Sequence, residues 1–94
     1  MDKPLTSSDY SHLRSEGRRL TVTATVGKAG LTEAVALQIS TLLAHHELVK
    51  VRIPPSDKAG RAEMAQKLAA KTAATLVELL GRTVLLYKPL PKQE

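Results

Sequence analysis

Between Leu20 and Ile53 the spacing of apolar residues switches from two to 3.6 and back to two. Leu20, Val22, Ala24 and Val26 alternate with Thr21, Thr23 and Thr25, the pattern of a strand with one apolar face. Leu31, Val35, Ile39, Leu42 and Leu43 then recur at helical spacing and predict a helix from Thr32 to His46. Alternation returns from Leu48 to Ile53, with Val49, Val51 and Ile53 on one face and Leu48, Lys50 and Arg52 on the other. Pro54 and Pro55 stop this strand, because neither can donate to a ladder. A strand, helix and strand in succession require a right-handed crossover between parallel strands. The helix must then cover one face of the sheet.

The remaining segments fit around that unit. Thr6 and Asp9 stand as N-cap and third residue of a capping box, and Leu5 and Tyr10 are spaced as a hydrophobic staple. The first helix is expected to end at Gly17 in a left-handed C-cap, with Arg14, Arg18 and Arg19 near its end. A third helix is predicted from Lys58 to Thr72, with Met64, Ala65, Leu68, Ala69 and Thr72 facing inward and Asp57 and Glu63 as helix-start and surface charges. Leu76 to Leu80 and Thr83 to Tyr87 flank Gly81-Arg82 and read as a hairpin, although Ala73 to Leu80 could instead prolong the helix. The hairpin brings an antiparallel partner. The expectation is an α/β domain of two to three layers, ordered α-β-α-β-α-β-β around a four-stranded mixed sheet. One domain is expected over residues 1–94, its core at 5–89 and a flexible tail at 90–94.

Composition narrows the possible functions. A chain of 94 residues that is 43% apolar can bury a modest core. The net charge of +5 points to polyanionic partners, although a basic surface kept only for solubility would give the same balance. There is no cysteine, which excludes disulfides and thiolate zinc sites. Tyr10 and Tyr87 are the only aromatic residues, which excludes a sheet paved with rings that stack single-stranded bases. No apolar run approaches the roughly 20 residues of a membrane span. Met1-Asp2-Lys3-Pro4 lacks the apolar segment of a signal peptide, so a cytoplasmic protein without membrane association is expected.

Gly27-Lys28-Ala29-Gly30 lies between the first strand and the second helix. Glycines there let backbone N–H groups approach an anion closely. The helix N-terminus adds a partial positive charge, and Lys28 adds a full one. An ordinary tight turn with a surface lysine would use the same residues. The nucleotide-binding Walker loop is absent, since these glycines are too close and Lys28 falls between them.

Three segments together resemble the CRM domain, found alone in bacterial YhbY proteins and in plant organelle splicing factors. They are Val26 to Val35, His46 to Ile53, and Leu80 to Pro89, and the opening Leu5 to Arg14 also fits. The resemblance implies a domain similar to the C-terminal domain of translation initiation factor three. It implies RNA binding through the Gly-x-x-Gly loop and adjoining basic surface, and no catalytic activity or cofactor. Bacterial single-domain members are associated with precursors of the large ribosomal subunit. The first helix departs from the pattern, with Ser7, Ser8, Asp9 and Ser11 where family members often carry basic residues.

The candidate RNA-binding residues are Gly27, Lys28, Ala29 and Gly30, then Arg18 and Arg19, then Arg82, Lys88, Lys50 and Arg52. For the last group a solvated surface charge is the plainer reading. His45 and His46 are adjacent on a helix, so their side chains diverge by about 100° and do not share an ion. No Gly-x-Ser-x-Gly elbow, cysteine nucleophile or carboxylate pair supports catalysis. The expectation is a non-enzymatic monomer without cofactor, metal or small-molecule substrate, binding ribosomal RNA or 50S precursors. The alternative is a module whose basic face meets an acidic protein.

Overall fold

The computed structural model describes residues 5–90. It contains α1 (Ser7–Gly17), β1 (Ala24–Thr25), α2 (Glu33–His45), β2 (Leu48–Arg52), α3 (Lys58–Thr72), β3 (Thr75–Leu80) and β4 (Thr83–Tyr87). The element order is the expected one. The expected flexible tail lies largely outside the described residues.

The four strands form one mixed sheet in the order β1-β2-β4-β3. β1 runs parallel to β2, with Ala24 opposite Val51. β4 is antiparallel to both β2 and β3. The core lies on the face lined by Val49, Val51, Ile53, Val84 and Leu86, which is covered by Ile39 and Leu43 of α2 and Ala65 and Leu68 of α3. α1 packs on the opposite face, against β2, β3 and β4. The domain therefore has three layers.

Local signals explain most boundaries. Thr6 and Asp9 form the complete capping box: Asp9 Oδ2 accepts from the Thr6 N–H at 2.9 Å, and Thr6 Oγ1 accepts from the Asp9 N–H at 3.1 Å. The bond from the Thr6 backbone holds the Asp9 carboxyl below its usual range. Thr32 caps α2 and Asp57 caps α3 with a single bond each, accepting from the N–H of Val35 and of Gly60. Thr6→Ala removes a cap and is expected to cost about 1 kcal/mol, read as a shift in the urea midpoint with the slope unchanged. An unshifted midpoint would mean that α1 adds nothing to stability.

Two expectations are corrected. The strand expected over 20–26 reduces to Ala24–Thr25. Leu20 donates its N–H to Gly17 at 3.1 Å, so the chain is still turning off α1 there, and contact with β2 begins with the Thr23 N–H on the Lys50 carbonyl at 3.1 Å. Gly17 is not a left-handed cap. Arg18 closes α1 in right-handed geometry, at φ −65°. Gly17 is needed for closeness, because a Cβ there would run into the buried side chain of Leu85.

The hairpin reading holds. Gly81, at φ +60°, opens the two-residue turn between Leu80 and Thr83. α3 stops before β3 because Ala73 takes a left-handed conformation at φ 53°. Among the described residues, no helix is long and apolar enough to cross a membrane.

Candidate nucleic-acid interface

Backbone pairing gathers three of the sequence candidates at one end of the sheet. The Val26 N–H donates to the Arg52 carbonyl at 2.8 Å, just before the glycine loop. The Ile53 N–H donates to the Arg82 carbonyl at 2.8 Å. The start of the loop, Arg52 and Arg82 thus sit at the same end of three neighbouring strands, β1, β2 and β4, which lie about 5 Å apart.

The loop itself is closed by one bond, from the Gly30 N–H to the Gly27 carbonyl at 3.0 Å. Gly30 needs its lack of a side chain, since its φ is +82°. Gly27 does not have positive φ; around it lies open space. Lys28 and Ala29 are exposed at the tip. Their N–H groups have no partner among the described residues. Lys28 has no ion pair there either. The first turn of α2 follows at Glu33, whose carboxylate is turned to Lys71 at 2.7 Å. That contact lowers the Glu33 carboxyl pKa.

The other candidates divide by what already holds them. Arg52 and Arg19 are exposed, and their side chains have no hydrogen-bonded or ionic partner among the described residues. Arg82 donates from Nε to the Ile53 carbonyl at 3.1 Å, which fixes its root at the hairpin while the residue stays exposed. Arg18 lies 3.7 Å from Glu78, and Arg14 lies 4.0 Å from it. Arg18 is exposed while Glu78 is half-buried, so this pair meets solvent on the arginine side.

Lys50 and Lys88 are committed to the fold. Lys50 Nζ donates to the carbonyls of Gly17 at 3.1 Å and Leu20 at 3.4 Å, tying the end of α1 to the sheet. Lys88 Nζ donates to the Thr72 carbonyl in the last turn of α3 at 3.3 Å. Lys88 also sits at the far end of β4, where its N–H meets Glu47, about 17 Å along the sheet from Arg52. Glu78 was not foreseen as part of this surface. It is the only carboxylate between residues 64 and 93, inside an otherwise apolar run, and that isolation was the available signal.

This arrangement defines a class: a small α/β domain with a mixed sheet, a helix on the second face, and an unneutralised basic loop at one sheet end. The chain belongs to the CRS1/YhbY (CRM) domain family, whose model matches residues 5–88. A Pseudomonas aeruginosa protein named "Probable RNA-binding protein" is 31% identical over 88 residues, covering 94% of this chain and 85% of that one. A Haemophilus influenzae protein named RNA-binding protein is 29% identical, covering 90% of this chain and 86% of that one. The solution structure of a Staphylococcus aureus hypothetical protein, a candidate RNA-binding protein, superposes with a TM-score of 0.84 at 26% identity. It covers 97% of this chain and 95% of that chain.

Proposed function

We propose that the protein binds structured RNA in the cytoplasm, with ribosomal RNA of large-subunit precursors as its target. The observation that carries this reading is the group of exposed cations at one sheet end, Lys28, Arg52 and Arg82, with no carboxylate paired to any of them among the described residues. Family membership and the RNA-binding names of the relatives support RNA as the polyanion. The association of bacterial single-domain family members with 50S precursors supports the narrower target.

The mechanism is electrostatic. The open N–H groups of Lys28 and Ala29 and the Lys28 ammonium hold a phosphate, with Gly27 and Gly30 keeping side chains out of the way. Arg52, Arg82, Arg18 and Arg19 extend the footprint along the backbone. Lys50 acts by holding the end of α1, from which Arg18 and Arg19 project. Lys88 lies outside this footprint. Two aromatic residues in the whole chain favour recognition of shape and phosphate over base stacking. Filter binding of ribosomal RNA across a salt series tests the reading. The logarithm of affinity should fall linearly with the logarithm of salt, at a slope of roughly three to five phosphate contacts. Absent or salt-insensitive affinity would sink it.

A further inference from the structure

The far end of the sheet has the opposite character. A cleft of about 850 Å³ opens there between α1 and the first residues of β2. Its apolar floor includes Leu13 of α1, with Leu48 and Tyr87, which are register partners on β2 and β4. Its rim carries Asp9 and Glu16 of α1 and Glu47 before β2, with the imidazoles of His12 and His46 among them. No lysine or arginine lines it among the described residues, in a chain whose net charge is +5.

Each of the three carboxylates is held in place by a neighbour. Asp9 accepts the Thr6 N–H, which stabilises its anion. Glu16 lies 2.9 Å from His12 Nε2, and Glu47 accepts from the Tyr87 hydroxyl at 3.4 Å. An RNA or other anion is repelled from such a rim. A purely apolar ligand would desolvate the carboxylates without replacing their water. A ligand with an apolar centre and cationic flanks satisfies both parts of the site.

We propose that this cleft docks a short cationic segment of a partner protein. One apolar residue of the segment lies on Leu13, Leu48 and Tyr87, and flanking lysines or arginines meet Asp9, Glu16 and Glu47. Charge complementarity sets both the specificity and the speed of such an encounter. The docking does not depend on the RNA reading. If both hold, the domain carries RNA at one end and a basic protein arm at the other.

The test is a titration of the full chain with the acetylated peptide Lys-Leu-Lys-Arg-Leu-Lys, followed by amide chemical shifts. The expected shifts cluster at Leu13, Glu16, Leu48 and Tyr87. Glu16→Gln with Glu47→Gln should weaken binding about tenfold, whereas Lys28→Glu with Arg52→Glu should change it by less than about twofold. A peptide with glutamate at every basic position should not bind. Three results would each overturn the proposal: no binding of the cationic peptide, affinity unchanged by the glutamine pair, or shifts centred on the loop. So would shifts of residues 91–94 caused by the glutamine pair without peptide, which would make the chain's own end the occupant.

Discussion

Replacing Lys28 and Arg52 together by glutamate is expected to lower affinity for structured ribosomal RNA about a hundredfold at moderate salt. In the proposed footprint each substitution removes one phosphate contact and puts a negative charge in its place. A charge-assisted hydrogen bond is worth about 1.5–3 kcal/mol, and about 1.4 kcal/mol is tenfold in affinity. Two such losses therefore give at least two decades. The salt slope should become shallower by about two, one for each phosphate released. The fold should survive, because both side chains are exposed and unpaired among the described residues. Surface changes of this kind stay within about 0.5 kcal/mol.

The control is charge-matched. Lys67→Glu with Lys71→Glu makes the same change in net charge, but on α3, where these lysines face Glu63 and Glu33. If net charge alone attracted RNA, both pairs would weaken binding alike. The loop reading requires the α3 pair to cost less than about tenfold, since Lys67 stands on α3 beside Glu63 and only Lys71 approaches the loop, through Glu33 in the first turn of α2. Equal losses, or a Lys28/Arg52 effect below threefold, would remove the sheet end from the site.

How much of this could be read before the coordinates depends on where each feature gets its cause. The capping box at Thr6 and Asp9, the cap at Thr32 and the turn glycine at Gly81 arise from bonds within three or four residues, so sequence spacing reveals them. The inward stripes of α2 and α3 follow from period alone. What stayed hidden is tertiary. Ala73 takes a left-handed conformation that alanine does not prefer, imposed by the reversal from α3 into β3. Lys50 looks like any alternating surface lysine until α1 is laid across it and its ammonium meets Gly17 and Leu20. Arg52 and Arg82 are thirty residues apart and become neighbours only through the order β1-β2-β4-β3. The separation of Lys88 from the loop comes from the same order. The family resemblance gave the loop its expected ligand, but it could not tell the cations free to meet that ligand from those spent on carbonyls.

Gly17→Val is expected to be the most destabilising single change outside the main core. α1 is a weakly apolar helix, and Gly17 is its one buried residue. Its hold on the sheet is therefore concentrated at this end: Gly17 against Leu85, Lys50 beneath the helix end, and the Arg14 and Arg18 contacts to the half-buried Glu78. A Cβ at position 17 meets the side chain of Leu85, which is only 4% exposed and has little room to turn away. Overpacking of this sort costs about 1–3 kcal/mol. Alanine would regain up to about 1 kcal/mol of helix propensity over glycine, so Gly17→Ala should cost about 1 kcal/mol net. Valine adds two methyl groups at the same contact and gains less propensity, so about 3 kcal/mol is expected. For a domain of this size that is a fall in Tm of roughly 12–24 °C. The double variant with Leu85→Ala separates the causes. If the clash is responsible, Gly17→Val should cost far less in the Leu85→Ala background. If the cost is the same in both backgrounds, the glycine is required for its backbone, and the close-approach account fails. Because Arg18 and Arg19 follow directly on Gly17, lifting this helix end should also lower RNA affinity by severalfold, even at temperatures where the sheet is still folded.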